Sequence, residues 1–525
     1  MFVFKLNKIA LPVLFAASLL LTLGSCNKQL DISSSRQADE AGHWTTYEDA
    51  RSGLIGLYGL SRAAVAANNA HWLWGELRAG DFRSVYRPDL RAIVEGNLNA
   101  SFPAIEGITD WRRFYAVINA CNLFIERVNG CMADKRYTEA YYKLDIAQAR
   151  AIRAFIYFYI VRIWGDVPFI TKSNEGSFEA LPRTNKDVVL SFAEQELIAA
   201  APRLPFLYSG TDPEQLFPPN YYGVNTATWL NGPFNRLAAY AVLAHISAWQ
   251  GRYLDVAVYT EYIVNNFTKC NLTLLTTGQL VGDGSNPGGV FNARGGNYNQ
   301  LLGFSFINNR GETTSDGHFE QLTLANTTLY PMSKQLPDIY VPKDVINTVF
   351  PGNNPYDQRF GVDTSTRARL QFTAYFENYS SEIPVFKKVR VVNGATSVTG
   401  GQFAVFNSSV LFTRLEEIKL LRAEALTVLG ESNLAAAELN AIRGNRGTSS
   451  YLVGSSADLL TEIFAERRKE LMGEGWRWYD QVRFNRLKRN NPQFNDLLNR
   501  DGIYWPIAQD VLNRNPKLVQ NTFWK

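Results

Sequence analysis

Aromatic and polar side chains are concentrated in a short segment between the first two helical patterns of the chain. Trp72 and Trp74 are followed by charged and phenolic residues, among them Asp81, Arg83 and Tyr86. A sugar ring has an apolar face of C–H groups and a rim of hydroxyls, so proteins bind it with aromatic planes and polar side chains. The segment therefore has the residue types that bind a carbohydrate. The alternative is that the two tryptophans, spaced by two, pack in opposite directions inside the protein.

Two further groups of the same kind lie in a long segment rich in Gly, Asn and Thr. The first group contains Asn297, Tyr298 and Asn309, and the second contains Arg369 and Tyr375. Binding sites are often built on loops that a rigid scaffold holds. Aromatic residues in so long a loop also serve to pin the loop to the fold, and this alternative stays open for each of them.

The sequence contains none of the common motifs that indicate catalysis. There is no His-Glu-x-x-His, Gly-x-Ser-x-Gly, Gly-Lys or Gly-x-Gly-x-x-Gly motif. The four His residues lie far apart and there is no Cys-x-x-Cys, so we predict no zinc site and no cofactor. Carboxylate pairs such as Glu416 and Glu417 are better explained as ion-paired residues of a helix. We predict a protein that is not an enzyme, with a glycan-degrading enzyme as the less favoured alternative.

The first 25 residues have the pattern of a bacterial lipoprotein signal peptide. Lys5 and Lys8 precede an apolar run, 9–23, that is too short to span a bilayer as a helix. The run ends in Leu-Gly-Ser before Cys26, which resembles a lipobox and predicts cleavage before Cys26 and acylation of its thiol. Residues 26–43 then form the lipidated cysteine and a flexible tether, which hold the protein on a membrane.

The charge and the remaining cysteines of the chain exclude some classes of partner and of crosslink. Lys and Arg number 53 against 49 Asp and Glu, so we expect neither nucleic acid nor an anionic membrane surface as a partner. Cys121, Cys131 and Cys270 are an odd number, so at least one of them is unpaired within the chain. A disulfide from 121 to 131 is disfavoured, because ten helical residues separate the two positions by about 15 Å.

Helical patterns make up most of the chain and must position the candidate residues. Apolar residues recur at helical spacing in 46–67, 104–129, 138–164, 184–201, 233–250, 252–267, 412–429, 432–446, 458–473 and 475–488. The fifth and sixth of these segments, and likewise the seventh and eighth, are joined by tight turns with small residues nearby. Small residues let paired helices approach closely, as in a tetratricopeptide-type hairpin.

The helical pattern is interrupted by segments that are rich in turn-forming residues. The longest runs from about 268 to 411, and shorter ones cover about 82–103 and 202–232. We predict a mainly α fold in one domain, 44–525, with a helical scaffold at 44–267 and 412–525 and a loop-rich, ligand-binding insertion between them.

Short motifs follow one another in a fixed order along nearly the whole chain. They are Ala149-Arg150-Ala151, Trp164-Gly165-Asp166-Val167-Pro168, Arg414-Leu415-Glu416-Glu417-Ile418, Leu421-Arg422-Ala423-Glu424-Ala425, Glu466-Arg467-Arg468-Lys469-Glu470 and Trp505-Pro506-Ile507. In this order and spacing they resemble the SusD/RagB family of outer-membrane nutrient-binding lipoproteins. Gly165 and Pro168 predict a helix stop. We interpret five charged residues of these motifs as ion pairs of the scaffold, namely Arg414, Glu416, Arg422, Glu424 and Arg467.

The resemblance implies a SusD-like α-helical scaffold of tetratricopeptide-type helix pairs with large irregular loop insertions. It implies a lipid-anchored protein of the outer membrane, facing the cell exterior, that captures oligosaccharides. It further implies a SusC-like TonB-dependent outer-membrane barrel as partner, over which the lipoprotein sits as a lid and into which it delivers its ligand. A peptide-binding, RagB-like protein of nutrient uptake is the alternative. The ligand residues of the family vary with the substrate, so no ligand motif is carried over.

Overall fold

A computed structural model describes most of the chain beyond the predicted leader and tether. The described residues are 43–174, 176, 179–216, 220–224, 229, 232–282, 288–293, 299–307, 311–312, 314, 317–325, 335–352, 354–362, 370–393 and 405–525. The predicted signal peptide and Cys26 lie outside these residues. The fold is mainly helical, and this confirms the predicted fold class.

Most α-helices of the described residues lie in two groups, before and after the segment 268–411, and three short helices lie within that segment. The helices are α1 Tyr47–Ala66, α2 Ala70–Gly75, α3 Pro88–Val94, α4 Pro103–Thr109, α5 Arg112–Arg127, α6 Glu139–Trp164, α7 Lys186–Ala200, α8 Arg236–Gln250, α9 Tyr253–Asn266, α10 Thr277–Val281, α11 Phe319–Thr323, α12 Lys343–Val349, α13 Leu415–Val428, α14 Ser432–Asn445, α15 Leu459–Glu470, α16 Arg477–Lys488, α17 Pro492–Asn499 and α18 Gln509–Arg514. Single 3₁₀ turns connect several of them, including Tyr221–Gly223.

Helix α1 begins at a capping box and divides into two faces. The Thr46 side chain accepts a hydrogen bond from the backbone N–H of Asp49, and the Asp49 carboxylate accepts one from the backbone N–H of Thr46. Its apolar side chains at Ala50, Leu54 and Leu57 are buried against α5 and α6. The opposite face of α1 therefore stays at the surface.

Helix α6 is the central helix of the first group. Nearly all of its side chains from Ala147 to Trp164 are buried, between α5 on one side and α7 on the other. It ends at Gly165, where φ is +75°, a conformation that favours glycine. The predicted helix stop is confirmed.

Two helix hairpins pack side by side, as the small residues near their turns predict. Helices α8 and α9 form one pair and α13 and α14 the other, and α9 packs directly on α13. The turns contain Gly251 and Gly430, with φ of +77° and +86°. Ala244, Ala248, Leu421 and Ala425 are buried together between the pairs. The tetratricopeptide-type arrangement is thus observed.

The predicted helix at 104–129 is two helices, and this part of the prediction is wrong. Asp110 leaves the helical conformation with φ −85° and ψ 111°, which ends α4. Its carboxylate then accepts a hydrogen bond from the backbone N–H of Arg112 at 2.9 Å, at the start of α5. A short polar side chain competes here with the helical hydrogen bond.

The segment 268–411 contains short strands in two-stranded antiparallel sheets. The strands are β1 Leu302–Phe304, β2 Gly361–Val362, β3 Leu370–Phe372, β4 Phe376–Glu377, β5 Val385–Phe386, β6 Val392–Asn393, β7 Val405–Phe406 and β8 Val410–Thr413. They pair as β1 with β8, β2 with β3, β4 with β5 and β6 with β7. The first pair, with Phe304 opposite Val410, ties the segment to the strand that leads into α13. No helix in the described part of the chain has the length and apolar character needed to cross a membrane.

Candidate ligand-binding site

A buried ion-pair network lies where the insertion meets the C-terminal helices. The carboxylate of Glu470 contacts three guanidinium groups, at 3.1 Å from Arg359, 2.9 Å from Arg414 and 2.7 Å from Arg446. All four side chains are fully buried, and the three cations hold the pKa of Glu470 well below its usual range despite burial. A network with so little access to solvent fixes helices relative to one another.

The scaffold interpretation of the motif charges is confirmed. Arg414 also contacts Glu416, at 2.9 Å, and Arg467 contacts Glu417 at 2.8 Å. Glu424 contacts Arg483 at 2.9 Å. Arg422 lies 3.2 Å from Glu438 on α14 and donates to the Ala257 carbonyl on α9.

Both tryptophans of the first candidate segment are core residues. Trp72 is 3% exposed and stacks on Phe319 at 5.5 Å between ring centroids. Trp74 is fully buried against Trp164, and its indole N–H donates to the Ile108 carbonyl at 3.2 Å. These rings offer no face to a ligand, which corrects the expectation of ligand contact and supports the packing alternative.

Asp81 and Tyr375 are also buried, and the same correction applies to them. The Asp81 carboxylate accepts hydrogen bonds from Arg468 and Arg477, and these two cations lower its pKa despite burial. The Tyr375 hydroxyl donates to the Glu470 carbonyl at 3.3 Å, inside the region of the ion-pair network. Both side chains help to position the scaffold.

Arg83 and Tyr86 lie at the surface, next to the segment that contains α12. The guanidinium of Arg83 is 3.5 Å from Asp344, and its backbone pairs with Tyr340. Tyr86 is 45% exposed, and its hydroxyl donates to the Asp338 carboxylate. These two residues stay candidate ligand contacts. Four other predicted contacts, Asn297, Tyr298, Asn309 and Arg369, lie outside the described residues.

A groove of about 410 Å³ lies on the exposed face of α1. This volume falls in the range of about 300–1,000 Å³ that is typical of small-molecule sites. Its described lining residues are Arg51, Ile55, Tyr58, Gly59, Arg62, Trp229, Gly232, Pro233, Gly303, Phe304, Ser305, Ile307 and Glu312. One wall is helical, the second is β1 and the chain after it, and the third is the segment before α8.

Helical periodicity places the α1 residues of the groove in one stripe. Arg51, Ile55, Gly59 and Arg62 follow one another at spacings of four, four and three, so they share one face of the helix. Ile55 is 47% exposed, which makes the middle of this face apolar. Gly59 leaves the groove open, since a Cβ added at this position would meet no atom within 4 Å.

The floor and one end of the groove are fixed by polar contacts. Arg62 contacts the Glu312 carboxylate at 3.1 Å, donates to the Ser305 carbonyl at 2.8 Å and lies over the Phe306 ring. Glu312 also accepts a hydrogen bond from the backbone N–H of Ile307 at 2.8 Å. These contacts join α1 to the chain that follows β1.

Trp229 forms part of the third wall and is held in place by Tyr221. Its indole N–H donates to the Tyr221 carbonyl at 2.9 Å, and the two rings lie 5.1 Å apart. An aromatic plane that is fixed by its neighbours and lines a groove is suited to stacking on an apolar ligand face.

A buried tyrosine cluster around Asp145 of α6 supports this wall. The Asp145 carboxylate accepts hydrogen bonds from the hydroxyls of Tyr137, Tyr221 and Tyr222. Burial raises the pKa of Asp145 to about 7. Through Gln148, which bonds to Tyr221 at 2.7 Å and to Tyr58 at 3.0 Å, the cluster reaches the floor of the groove.

Neither the groove nor its position was predicted from the sequence. The stripe on α1 can be inferred from the sequence, because the helix is predicted and its apolar spacing shows which face is buried. Trp229 lies in the segment 202–232, which is rich in turn-forming residues. What brings them together is contact between segments about 170 and 250 residues apart, which leaves no local signal. Across the described ranges, no three His, Cys, Asp or Glu side chains are placed to hold a metal ion.

Comparison with known proteins places this geometry in a family. A family model described as "SusD family" matches residues 373–524, and one described as "Starch-binding associating with outer membrane" matches 96–209. The SusD-like protein P38 of Formosa agariphila is 25% identical to this chain, and the match covers 98% of this chain and 99% of that protein.

Solved structures of the same family have a similar fold. The crystal structure of a SusD superfamily protein from Bacteroides thetaiotaomicron is similar with a TM-score of 0.81 and 42% identity, over 92% of this chain and 100% of that one. A SusD homolog from the same organism, at 24% identity and a TM-score of 0.74 over 92% and 100% of the two chains, shares the fold. The chain therefore belongs to the SusD family, whose members generally bind carbohydrate.

Proposed function

We propose that the protein captures an oligosaccharide in the groove on α1. The observation that carries this proposal is the fixed ring of Trp229 across the groove from Ile55, with Arg51 and Arg62 on the same helical stripe. Aromatic and apolar surface suits the C–H face of a sugar, and guanidinium groups suit its oxygen atoms. The carbohydrate-binding character of the family supports the same ligand class.

We propose further that the protein binds the oligosaccharide without cleaving it. Hydrolysis of a glycosidic bond needs two carboxyl groups on opposite sides of the bond. Among the described residues that line the groove, Glu312 is the one carboxylate, and it is held by Arg62 and by a backbone N–H. A glycan-degrading enzyme is therefore disfavoured.

The cellular setting is part of the proposal. The lipobox-like sequence before Cys26 supports an acylated N-terminus, and the description "associating with outer membrane" supports the outer membrane as its location. In this setting the protein faces the cell exterior and delivers its ligand to a SusC-like TonB-dependent barrel, over which it acts as a lid. Co-purification of the barrel with the tagged lipoprotein from outer membranes tests the partner.

The direct test is an incubation of the purified mature protein with an array of plant, host and microbial glycans and with a peptide library. We expect retention of an oligosaccharide at micromolar affinity, about −8 kcal/mol, with no change in the ligand over time. Accumulation of shorter products would identify an enzyme. Retention of peptides with no glycan would favour the RagB-like alternative.

A further inference from the structure

We propose that the groove selects acidic oligosaccharides, whose carboxylate or sulfate group binds to Arg51. This inference rests on the proposed function, since it names the class of glycan that the groove would take. Arg51 occupies the first position of the α1 stripe, one helical turn before Ile55.

The guanidinium of Arg51 has unused donors in the described part of the chain. Its Nε atom is buried and has no hydrogen-bond partner there, and no ion pair joins the side chain to any described carboxylate. A buried polar group without a hydrogen-bond partner is unfavourable, so a ligand that accepts a hydrogen bond from this group gains affinity.

The other charged side chains among the described lining residues, Arg62 and Glu312, are paired with each other. Arg62 is neutralised by Glu312 at 3.1 Å, and Glu312 in turn accepts from the Ile307 backbone. This leaves the described lining with one net positive charge, at Arg51, beside apolar surface from Ile55 and Trp229. A ligand with an apolar ring face and an anionic substituent complements both features.

An acidic sugar is such a ligand. A carboxylate or a sulfate presents oxygen acceptors that match the planar donors of a guanidinium, and charge-assisted hydrogen bonds of this kind are about twice as strong as neutral ones. A neutral sugar offers hydroxyls, which would satisfy Arg51 less well. The groove should therefore discriminate between two glycans that differ in this group alone.

The test uses matched pairs on a glycan array. Each uronic-acid oligosaccharide is placed beside its methyl ester, and each sulfated oligosaccharide beside its desulfated form. We expect the acidic member of at least one pair to bind about tenfold or more tightly than its neutral partner, and the preference to fall as salt is raised. The two kinds of pair show whether carboxylate or sulfate is the preferred anion.

Two variants assign the preference to one residue. Arg51→Gln should lose the tenfold preference, so that it binds the acidic and the neutral member of a pair with similar affinity, and Arg51→Lys should keep part of the preference. Arg514→Gln is the control, because it removes the same charge from an exposed Arg514–Asp510 pair on α18. Unchanged thermal unfolding of each variant verifies that it folds.

The outcomes separate the inference from the function on which it rests. Equal binding of the acidic and neutral members would overturn the inference and leave carbohydrate capture intact. A preference that survives in Arg51→Gln would overturn the role of this residue. Binding only of neutral glycans outside these pairs would overturn the inference alone. Binding of no glycan, in the pairs or on the wider array, would overturn the proposed function and the inference with it, and retention of acidic peptides alone would do the same.

Discussion

The buried carboxylate of Asp145 accepts a hydrogen bond from the hydroxyl of Tyr222, a residue whose backbone lies in the left-handed region with φ +53°. A tyrosine in this conformation costs about 1–3 kcal/mol and persists where its surroundings over-determine it. Here the neighbouring Tyr221 is bound to the same carboxylate and also holds Trp229. Asp145 is thus a positioning residue for the aromatic wall of the groove.

The stability that Asp145 contributes should depend on pH. Burial raises its pKa to about 7, above its value in the unfolded chain, so the folded protein retains the proton more strongly between about pH 4 and pH 7. Relative to Asp145→Asn, which does not titrate, the wild type should gain up to ~1.4 kcal/mol of unfolding free energy per unit as the pH falls from 7 to 4. Denaturant titrations of both proteins at several pH values measure this difference. A difference that stays constant over this interval would contradict the assignment.

Removal of the charge on Glu470 should destabilise the fold strongly. Glu470→Gln leaves three buried guanidinium groups with too little negative charge, and breaking a buried pair of this kind costs about 3–5 kcal/mol. Asp496→Asn is the matched control, because its partner Arg500 is exposed and such pairs contribute below about 1 kcal/mol. Chemical denaturation compares the two. A similar loss of unfolding free energy in both variants would show that the buried network stabilises the fold no more than an exposed ion pair does.

Substitution of Trp74 should lower stability, whereas substitution of Trp229 should weaken ligand binding. Trp74→Ala removes a fully buried ring and should cost about 3–5 kcal/mol of unfolding free energy. Trp229→Ala should weaken ligand binding about five- to thirtyfold, since a stacking residue contributes roughly 1–2 kcal/mol. Denaturation and calorimetric titration are run on both variants. Loss of binding in Trp74→Ala without loss of stability would show that Trp74 contacts the ligand and is not a core residue.

The cysteines within the described residues should not react with thiol reagents in the native protein. Cys121, Cys131 and Cys270 are buried free thiols, and burial raises the pKa of the first two to about 12 and about 11. At pH 8 a thiol reagent should therefore react with none of the three until the protein is unfolded, and then with all of them. Reaction of two thiols fewer after unfolding would reveal a disulfide.

The sequence was sufficient to predict the scaffold because its signals are local. Helical periodicity, the small residues near Gly251 and Gly430 and the stop at Gly165 each act within a few residues, and each was found where expected. The broken helix at Asp110 was missed because a side-chain hydrogen bond two residues away outweighs the periodic pattern.

The site was harder to predict because aromatic type does not reveal burial. Trp74 and Tyr375 have the composition of a sugar site, but their N–H and O–H groups bond to buried backbone carbonyls. The groove depends on where Trp229 meets α1, and only the folded chain brings these segments together. The stripe of Arg51, Ile55, Gly59 and Arg62 on a predicted helix is the single local signal, and it does not show which segments the helix faces.

The central claim, that ligand binds in the groove on α1, is tested most directly at Gly59. Both Gly59 and Gly56 lie on the exposed face of α1 with no atom within 4 Å of an added Cβ, but Gly59 alone lines the groove. Leu at either position should preserve or raise stability, because glycine inside a helix costs about 1 kcal/mol. Calorimetric titration with the oligosaccharide found on the array should show at least tenfold weaker binding by Gly59→Leu and unchanged binding by Gly56→Leu. Wild-type affinity in Gly59→Leu would place the ligand elsewhere and contradict the account.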